Sequence, residues 1–261
     1  MQTEIDNAIL ERRSVRTFNK EQLIDASKVG ELQKAVTAVS SPLGGRWKIQ
    51  LMDCGEDALA KSPSTYGVIR GATLFLLLWT GSDTVSRISG GYALEQVVLR
   101  ATHLGLGTCW LGGTFRAKSF GDANVEGMEL TIVCPVGVPA QRERLLARAF
   151  SAIAGSCKRK PFDELFKFAN SVARERFAHP LEMMRLAPSS VNSQPWRAIA
   201  SDSGVDFYRV GSSKLNDVDL GIGLCHFSLT LPETLRRGRF VSATPGVDAP
   251  KNWKYFISYK L

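Results

Sequence analysis

Two stretches of this 261-residue chain can each be laid over another stretch farther along it, and this internal correspondence limits the available architectures more than composition does. VSSPLGGRWKIQL (39–51) aligns with PSSVNSQPWRAIA (188–200), setting Ser40 against Ser189, Ser41 against Ser190, Trp47 against Trp196 and Lys48 against Arg197. GGYALEQVVLRATHLGLG, from residue 90, aligns with LGIGLCHFSLTLPETLRRG, from residue 220, setting Gly91 against Gly221 and Leu99 against Leu229. A repeat of this kind predicts two tandem copies of one α+β unit, a first half over 1–160 and a shorter second half over 161–261. The copies are unequal. Asn192, Gln194 and Pro195 stand where the first half has Leu43, Gly45 and Arg46, and no counterpart of RRSVR (12–16) is evident in the second.

Apolar periodicity places the elements. Residues 3–12 read as a helix with Ile5, Ala8 and Ile9 on one face, and 21–39 as a second through Leu23, Val29, Leu32, Ala35 and Val36. In the segment 90–113, Leu94, Val97, Val98, Ala101 and Leu104 form a helical stripe that Gly105 and Gly107 stop. Alternation marks 46–53 as a strand, and the unbroken apolar runs 72–79 and 128–139 read as strands covered on both faces. A basic linker (140–161) leads to two helical stretches separated by Pro180. A hairpin over 196–210 turns near Ser203 and Gly204, a helix covers 219–238, and NWKYFISYKL closes the chain as a strand.

Composition excludes several classes. Hydrophobic residues make up 44% and charged residues 22%, ordinary for a globular protein. The run ATLFLLLW is too short to span a bilayer, and the N-terminus has no signal-type apolar core, so a soluble cytoplasmic protein without a membrane partner is expected. Five scattered cysteines (54, 109, 134, 157, 225) with no CxxC pair, beside three histidines, argue against a metal cluster and for reduced, packed thiols. The formal charge of +8 favours anionic partners in general. The basic clusters at Arg12–Arg16, Arg142–Arg148 and Lys158–Lys160 are not interleaved with aromatics as a nucleic-acid groove would be, so no nucleic-acid partner is expected.

Two polar stretches at opposite ends of the chain carry ligand chemistry. Arg12, Arg13, Ser14 and Arg16 present guanidinium forks and a hydroxyl, the donor set for a phosphate. Lys158, Arg159 and Lys160 offer a second basic group, with a solvated surface as the alternative reading. In APSSVNSQPWR (187–197), Asn192 and Gln194 present amide donors and acceptors on a proline-bracketed loop; Ser189 and Ser190 can do the same or can satisfy the local backbone. Gly112 and Gly113 permit close approach of a ligand to the main chain, or are a plain loop pair. His103 and His226, on helical stretches, read as core or surface residues.

RRSVRTF, APSSVNSQPW, GLGTCW and KRKPFDEL together resemble the signature segments of the nitroreductase family of flavin mononucleotide (FMN) enzymes. In ordinary members the Asn/Gln-bearing motif follows soon after the arginine-rich one, and the proteins are homodimers with FMN at the subunit interface. Here the second motif lies in the second half, as in the less common single-chain members. The resemblance therefore implies a nitroreductase-like α+β fold of two pseudo-symmetric halves, each a mostly antiparallel sheet flanked by helices, mimicking the dimer in one monomeric chain. It implies a single FMN site shared between the halves. Arg12, Arg13, Ser14 and Arg16, with Arg159 and Lys158 or Lys160, would take the phosphate. Ser189, Ser190, Asn192 and Gln194 would take the ribityl or pyrimidine edge, Pro188 would pack on the ring, and Gly112 and Gly113 would bring backbone N–H groups to flavin N5. FMN would carry the chemistry, with no catalytic side chain: NAD(P)H reduces it transiently and a nitroaromatic or quinone-like acceptor reoxidises it by a ping-pong cycle. The alternative is an FMN-binding protein without efficient turnover. The chain departs from the pattern in lacking an acidic residue at Gly112, and in having Thr65, Tyr66 and Val68 where relatives often carry pyrimidine-binding Asn and Lys.

Overall fold

A computed structural model describes residues 2–55, 65–121, 124–141 and 158–261. The basic run Arg142–Arg148, most of the 140–161 linker and Cys157 lie outside the described residues. Helix α1 covers Gln2–Glu11 and α2 Ala26–Ala38. Strands β1 (Trp47–Asp53) and β2 (Leu74–Thr80) precede α3 (Thr84–His103), after which come β3 (Gly107–Thr108), β4 (Asn124–Val125) and β5 (Met128–Gly137). Past a helical turn at Phe162–Leu165, the chain continues as β6 (Phe166–Phe168), α4 (Ser171–Leu186), β7 (Trp196–Ser201), β8 (Gly204–Arg209), α5 (Lys214–Leu229), β9 (Arg239–Val241) and β10 (Lys254–Lys260).

The strands form two five-stranded sheets. The first runs β1-β2-β5-β3, with β4 also on β5, and is antiparallel throughout. The second runs β7-β8-β10-β9 in the same antiparallel sense, with β6 added parallel to the outer edge of β7. Both halves therefore follow one route: helix, hairpin, long helix, short edge strand, then a strand inserted beside the hairpin. The aligned residues occupy equivalent places. Trp47 and Trp196 open the first hairpin strand of each sheet. The Gly81 N–H to Arg46 carbonyl bond (2.9 Å) has its counterpart in the Val210 N–H to Pro195 carbonyl bond (2.8 Å).

The two long helices α3 and α5 pack on each other at the centre. A methyl group added to Gly91 would lie 2.4 Å from the Val218 carbonyl oxygen, and one added to Gly221 would lie 2.0 Å from that of Ile88. Each glycine thus sits against the residue three positions before the other, so main chains touch where side chains would otherwise hold the helices apart. One continuous core includes Leu76 and Ile132 from the first sheet, Val97 and Leu224 from the two helices, and Trp196 and Phe207 from the second sheet. β2 is buried along its whole length, as its unbroken apolar run requires.

Several boundaries differ from the sequence reading, each for a local reason. α2 begins at Ala26 rather than near residue 21 because Asp25 caps it, accepting from the Ser27 N–H at 2.7 Å. α3 begins at Thr84, ahead of the expected 90, with Asp83 accepting from the Ser86 N–H at 2.8 Å. α5 begins at Lys214 behind Ser213 and ends at Leu229, since Pro232 cannot continue it; a short turn at Glu233–Leu235 takes up the rest of the expected 219–238 helix, and β9 follows it. Pro180 does not divide two helices. α4 runs through it, losing one backbone bond while Phe177, Leu181 and Met184 stay buried around it.

Candidate functional site

A cleft of ≈ 590 Å³ opens where the halves meet. Its walls come from the segment after α1, the residues following β3, the 188–192 loop and the first turns of α5. The arginine-rich stretch enters it because it is threaded across the first sheet: Ser14 bridges Thr108, the Val15 N–H donates to the Thr108 carbonyl at 2.8 Å, and the Arg70 N–H donates to that of Arg16 at 3.0 Å. Successive side chains of an extended chain alternate sides. Ser14 and Arg16 consequently face the cleft, whereas Val15 packs over Gly107, where an added methyl would stand 2.6 Å from a Val15 methyl carbon.

Arg12 lines the same cleft, and its buried Nη1 has no hydrogen-bond partner. Burial lowers its pKa, and the negative field of Glu95 opposes that shift. Glu95 is itself fully buried on α3, accepting from Trp110 Nε1 at 3.1 Å and lying 2.8 Å from His226 Nε2. His226 Nδ1 donates to the Met183 carbonyl at 3.0 Å. His226 is thus a core residue tying the α3–α5 interface to the wall of the cleft. His103 is exposed at the end of α3.

The 188–192 loop reaches the cleft by a strained path. Val191, Asn192 and Gln194 have φ of 46°, 54° and 49°, a region costly for side chains with a Cβ and most costly for β-branched valine. Tethers hold it there. The Gln194 N–H donates to Ser189 Oγ (3.0 Å), Gln194 Oε1 accepts from the Lys160 N–H (2.8 Å), and Gln194 Nε2 reaches Asn192 Oδ1 (3.2 Å). Arg159 donates to Asn192 Oδ1 (3.2 Å) and to the Leu186 carbonyl (3.0 Å). Pro188, Ser189, Ser190, Asn192 and Arg159 all line the cleft.

Arg12, Ser14, Arg16, Gly112, Gly113, Arg159, Pro188, Ser189, Ser190 and Asn192 are therefore brought together. Three expected residues are placed otherwise. Arg13 falls on the outer side of the alternation, and its guanidinium turns back to the Leu10 and Glu11 carbonyls (2.9 and 3.0 Å), capping α1. Lys158 is exposed and contributes its carbonyl, which accepts from Asn192 Nδ2. Gln194 is buried, with its amide spent on the Lys160 N–H and on Asn192. Of the glycines, Gly112 lies against Leu215, whose methyl carbon would be 2.5 Å from an added Cβ, while the same position at Gly113 opens onto free space. Val68, one of the residues at which the chain departs from the family pattern, lines the cleft as well.

The sequence reading missed Asp219. It lies one turn into α5, in the cleft wall, where its carboxylate accepts from the Ser190 N–H at 2.9 Å. Burial pushes its pKa up to about 7 against the opposing hydrogen bonds from Ser190 and Ser193. The signal was present: in LNDVDLGIGLC the carboxylate of Asp219 stands among apolar residues, Val218, Leu220 and Ile222. Asp217 meets Arg87 (2.9 Å) and Arg209, and so belongs to an internal ion-pair cluster.

The family model described as "Putative TM nitroreductase" matches residues 4–231. The crystal structure of a "putative nitroreductase" from Thermotoga maritima is 21% identical, covers 98% of this chain and 93% of its own, and superposes with a TM-score of 0.63, a likeness of fold. A nitroreductase family protein from Clostridium novyi is 19% identical over 52% of this chain and 84% of its own, with a TM-score of 0.42. An FMN-dependent nitroreductase from Clostridium difficile is 15% identical over 52% and 88%, with a TM-score of 0.41. No curated protein matches the chain.

Proposed function

The chain belongs to the nitroreductase family whose model its residues 4–231 match, and on that premise we propose that the cleft holds one FMN and passes electrons from NAD(P)H to a nitroaromatic or quinone-like acceptor. The observation that carries this reading is the buried, partnerless Arg12 Nη1 in the cleft wall. Leaving a buried charged donor unsatisfied is costly, and an anionic group against it removes the cost. The donor set fits a flavin nucleotide. Arg12, Ser14, Arg16 and Arg159 supply cations and a hydroxyl for a phosphate. Ser189, Ser190 and Asn192 offer polar atoms to the ribityl chain, while Pro188, Leu111, Val218 and Ile222 offer apolar surface to a planar ring. The volume of ≈ 590 Å³ is that of a cofactor site.

Bound FMN would supply hydride acceptance and donation; the chain's residues bind, orient and exclude water. Arg12 would hold the anionic end, Gly112 and Gly113 would let the main chain approach the ring, and the tethered loop would hold the rest of the nucleotide. The two halves stand where other family members use two subunits, so the working unit is a monomeric chain of two tandem nitroreductase-like halves, joined near residue 160 and placed in the cytoplasm. Among the described residues no helix is long and apolar enough to cross a membrane. The test is spectroscopic. Purified protein, or protein supplied with FMN, should show bound-flavin absorbance that NADH or NADPH bleaches anaerobically and a nitroaromatic or quinone restores. Protein that takes up no FMN refutes the reading. Flavin that binds but neither bleaches nor recovers refutes the turnover and leaves the alternative of an FMN-binding protein.

A further inference from the structure

We infer that Asp219 selects the ligand lying over it, donating a hydrogen bond from its undissociated carboxyl to a carbonyl or nitro oxygen of a planar ring that brings no negative charge against it. This rests on reading the cleft as a flavin site. Asp219 is 4% exposed yet lines the cleft. Its Oδ1 is committed to the Ser190 N–H at 2.9 Å, while Oδ2 has only the long 3.4 Å contact with Ser193 Oγ. Among the described residues, Ser193 Oγ is thus the protein group against Oδ2, and it is distant enough to leave a proton there for a ligand in the cleft that Asp219 lines. Around it the wall is apolar, with Leu215, Val218 and Ile222.

The cations near α5 are engaged elsewhere. Arg87 and Arg209 meet Asp217, and Arg197 donates to the Gln194 and Trp196 carbonyls and approaches Glu164. Glu95 is bound to His226. Arg12, Arg16 and Arg159 share the cleft with Asp219, and the influences that set its proton affinity are burial first, then the Ser190 and Ser193 hydrogen bonds. With a pKa of about 7, the acid form is the neutral partner that such a wall tolerates. Its ionised form would set a negative charge against a ligand oxygen, and against any carboxylated ligand.

The experiment follows affinity against pH, by perturbation of the visible flavin spectrum. FMN uptake is one arm. Binding of 1,4-naphthoquinone and of 4-nitrobenzamide or 4-nitrobenzoate to the oxidised holoprotein is the other. A pH-dependent first arm assigns the Asp219 bond to a flavin carbonyl, a pH-dependent second arm to the acceptor; either supports the inference. Between pH 6 and pH 8 the acid form of a group titrating at about 7 falls about tenfold, and apparent affinity should fall about tenfold with it. 4-Nitrobenzamide should bind better than 4-nitrobenzoate. Asp219→Asn keeps an acceptor for the Ser190 N–H and an N–H donor towards the ligand, so its affinity should be flat over the same range. Infrared difference spectra of the apoprotein between these pH values give a readout independent of any ligand: a protonated-carboxyl band should titrate in the wild type and be missing from the variant. A variant that holds FMN with the wild-type pH slope overturns the inference and leaves the flavin site standing, as does a wild type with no such band. Failure of both proteins to take up FMN overturns the cofactor reading and the inference with it.

Discussion

Gly221→Ala should be a severely damaging single methyl, because it falls where the two central helices touch main chain to main chain. Its Cβ would stand 2.0 Å from the Ile88 carbonyl oxygen and 2.8 Å from the Tyr92 nitrogen, both main-chain atoms of α3 that cannot rotate aside. Restoring an ordinary contact of about 3.4 Å means moving the helices apart by about 1.4 Å, and even a gap of half to one ångström forfeits a quarter to a half of each dispersion contact along the interface. Overpacking a core in this way costs about 1–3 kcal/mol where side chains can give, so about 3 kcal/mol or more is expected here. The assay is urea unfolding, comparing midpoints at unchanged slope. Gly30→Ala is the control: this glycine lies in α2, and an added methyl meets nothing within 4 Å. There the same change should stabilise by about 0.5–1 kcal/mol through helix propensity alone. Because Val218, Asp219 and Ile222 line the cleft from α5, Gly221→Ala should also loosen flavin retention. A Gly221→Ala protein within about 0.5 kcal/mol of wild type would refute the close helix crossing on which the union of the two halves rests.

Arg12→Ala should weaken FMN retention roughly ten- to a hundredfold, the worth of a charged hydrogen bond, whereas Arg13→Ala should leave it within about twofold; equilibrium dialysis separates them. Stability should depend on pH through Asp219: its folded pKa of about 7 lies above the ordinary 3.8, so the folded chain holds the proton after the unfolded chain has released it. Stability from this group is therefore full below about pH 4 and falls as pH rises towards 7, by a few kcal/mol at about 1.4 kcal/mol per unit, and Asp219→Asn should remove that fall in urea titrations at pH 5 and pH 8. His226→Leu strips Glu95 of its imidazole partner and should cost about 3–5 kcal/mol by thermal unfolding. Flavin released by denaturing the holoprotein should amount to one FMN per chain; two per chain would contradict the shared-site reading.

Much of the fold was legible because its signals are local. Period and alternation found the long helices and buried strands, and the Trp47/Trp196 and Gly91/Gly221 matches mark structurally equivalent places. The starts of α3 and α5 lie ahead of their apolar stripes, at the capping residues Asp83 and Ser213, whereas α2 starts later than its stripe, behind Asp25. The short strands β3, β6 and β9 escaped because two or three residues carry no period. In the site, residue type suggested the ligand class but not which way each side chain turns. Alternation along the Ser14–Phe18 segment separates Arg13 from Arg16, and the left-handed turn at Val191–Gln194 folds Gln194 inward. Neither follows from composition. Asp219 shows the converse, since its meaning lies in the apolar wall around it, which only the folded chain assembles.

The equivalent positions also show how the two halves differ around the cleft. Where α5 presents Val218, Asp219 and Ile222 to the cleft, α3 carries Ile88, Ser89 and Tyr92. The exchange of Ile222 for Tyr92 puts a larger side chain at that place, and its hydroxyl is fixed on Ser228 at 3.1 Å. The loop beside it is packed differently as well. At Gly45 an added Cβ would stand 2.8 Å from the Ser86 Cα, and the Arg46 N–H donates to Ser86 Oγ at 2.9 Å, so backbone lies on backbone where the second half keeps the strained Val191–Gln194 turn. Strain of that kind persists only where surrounding contacts hold it. The half that lacks arginines to face a phosphate thus supplies the tethered loop and Asp219, and the half that supplies the arginines has let its own loop relax onto its helix.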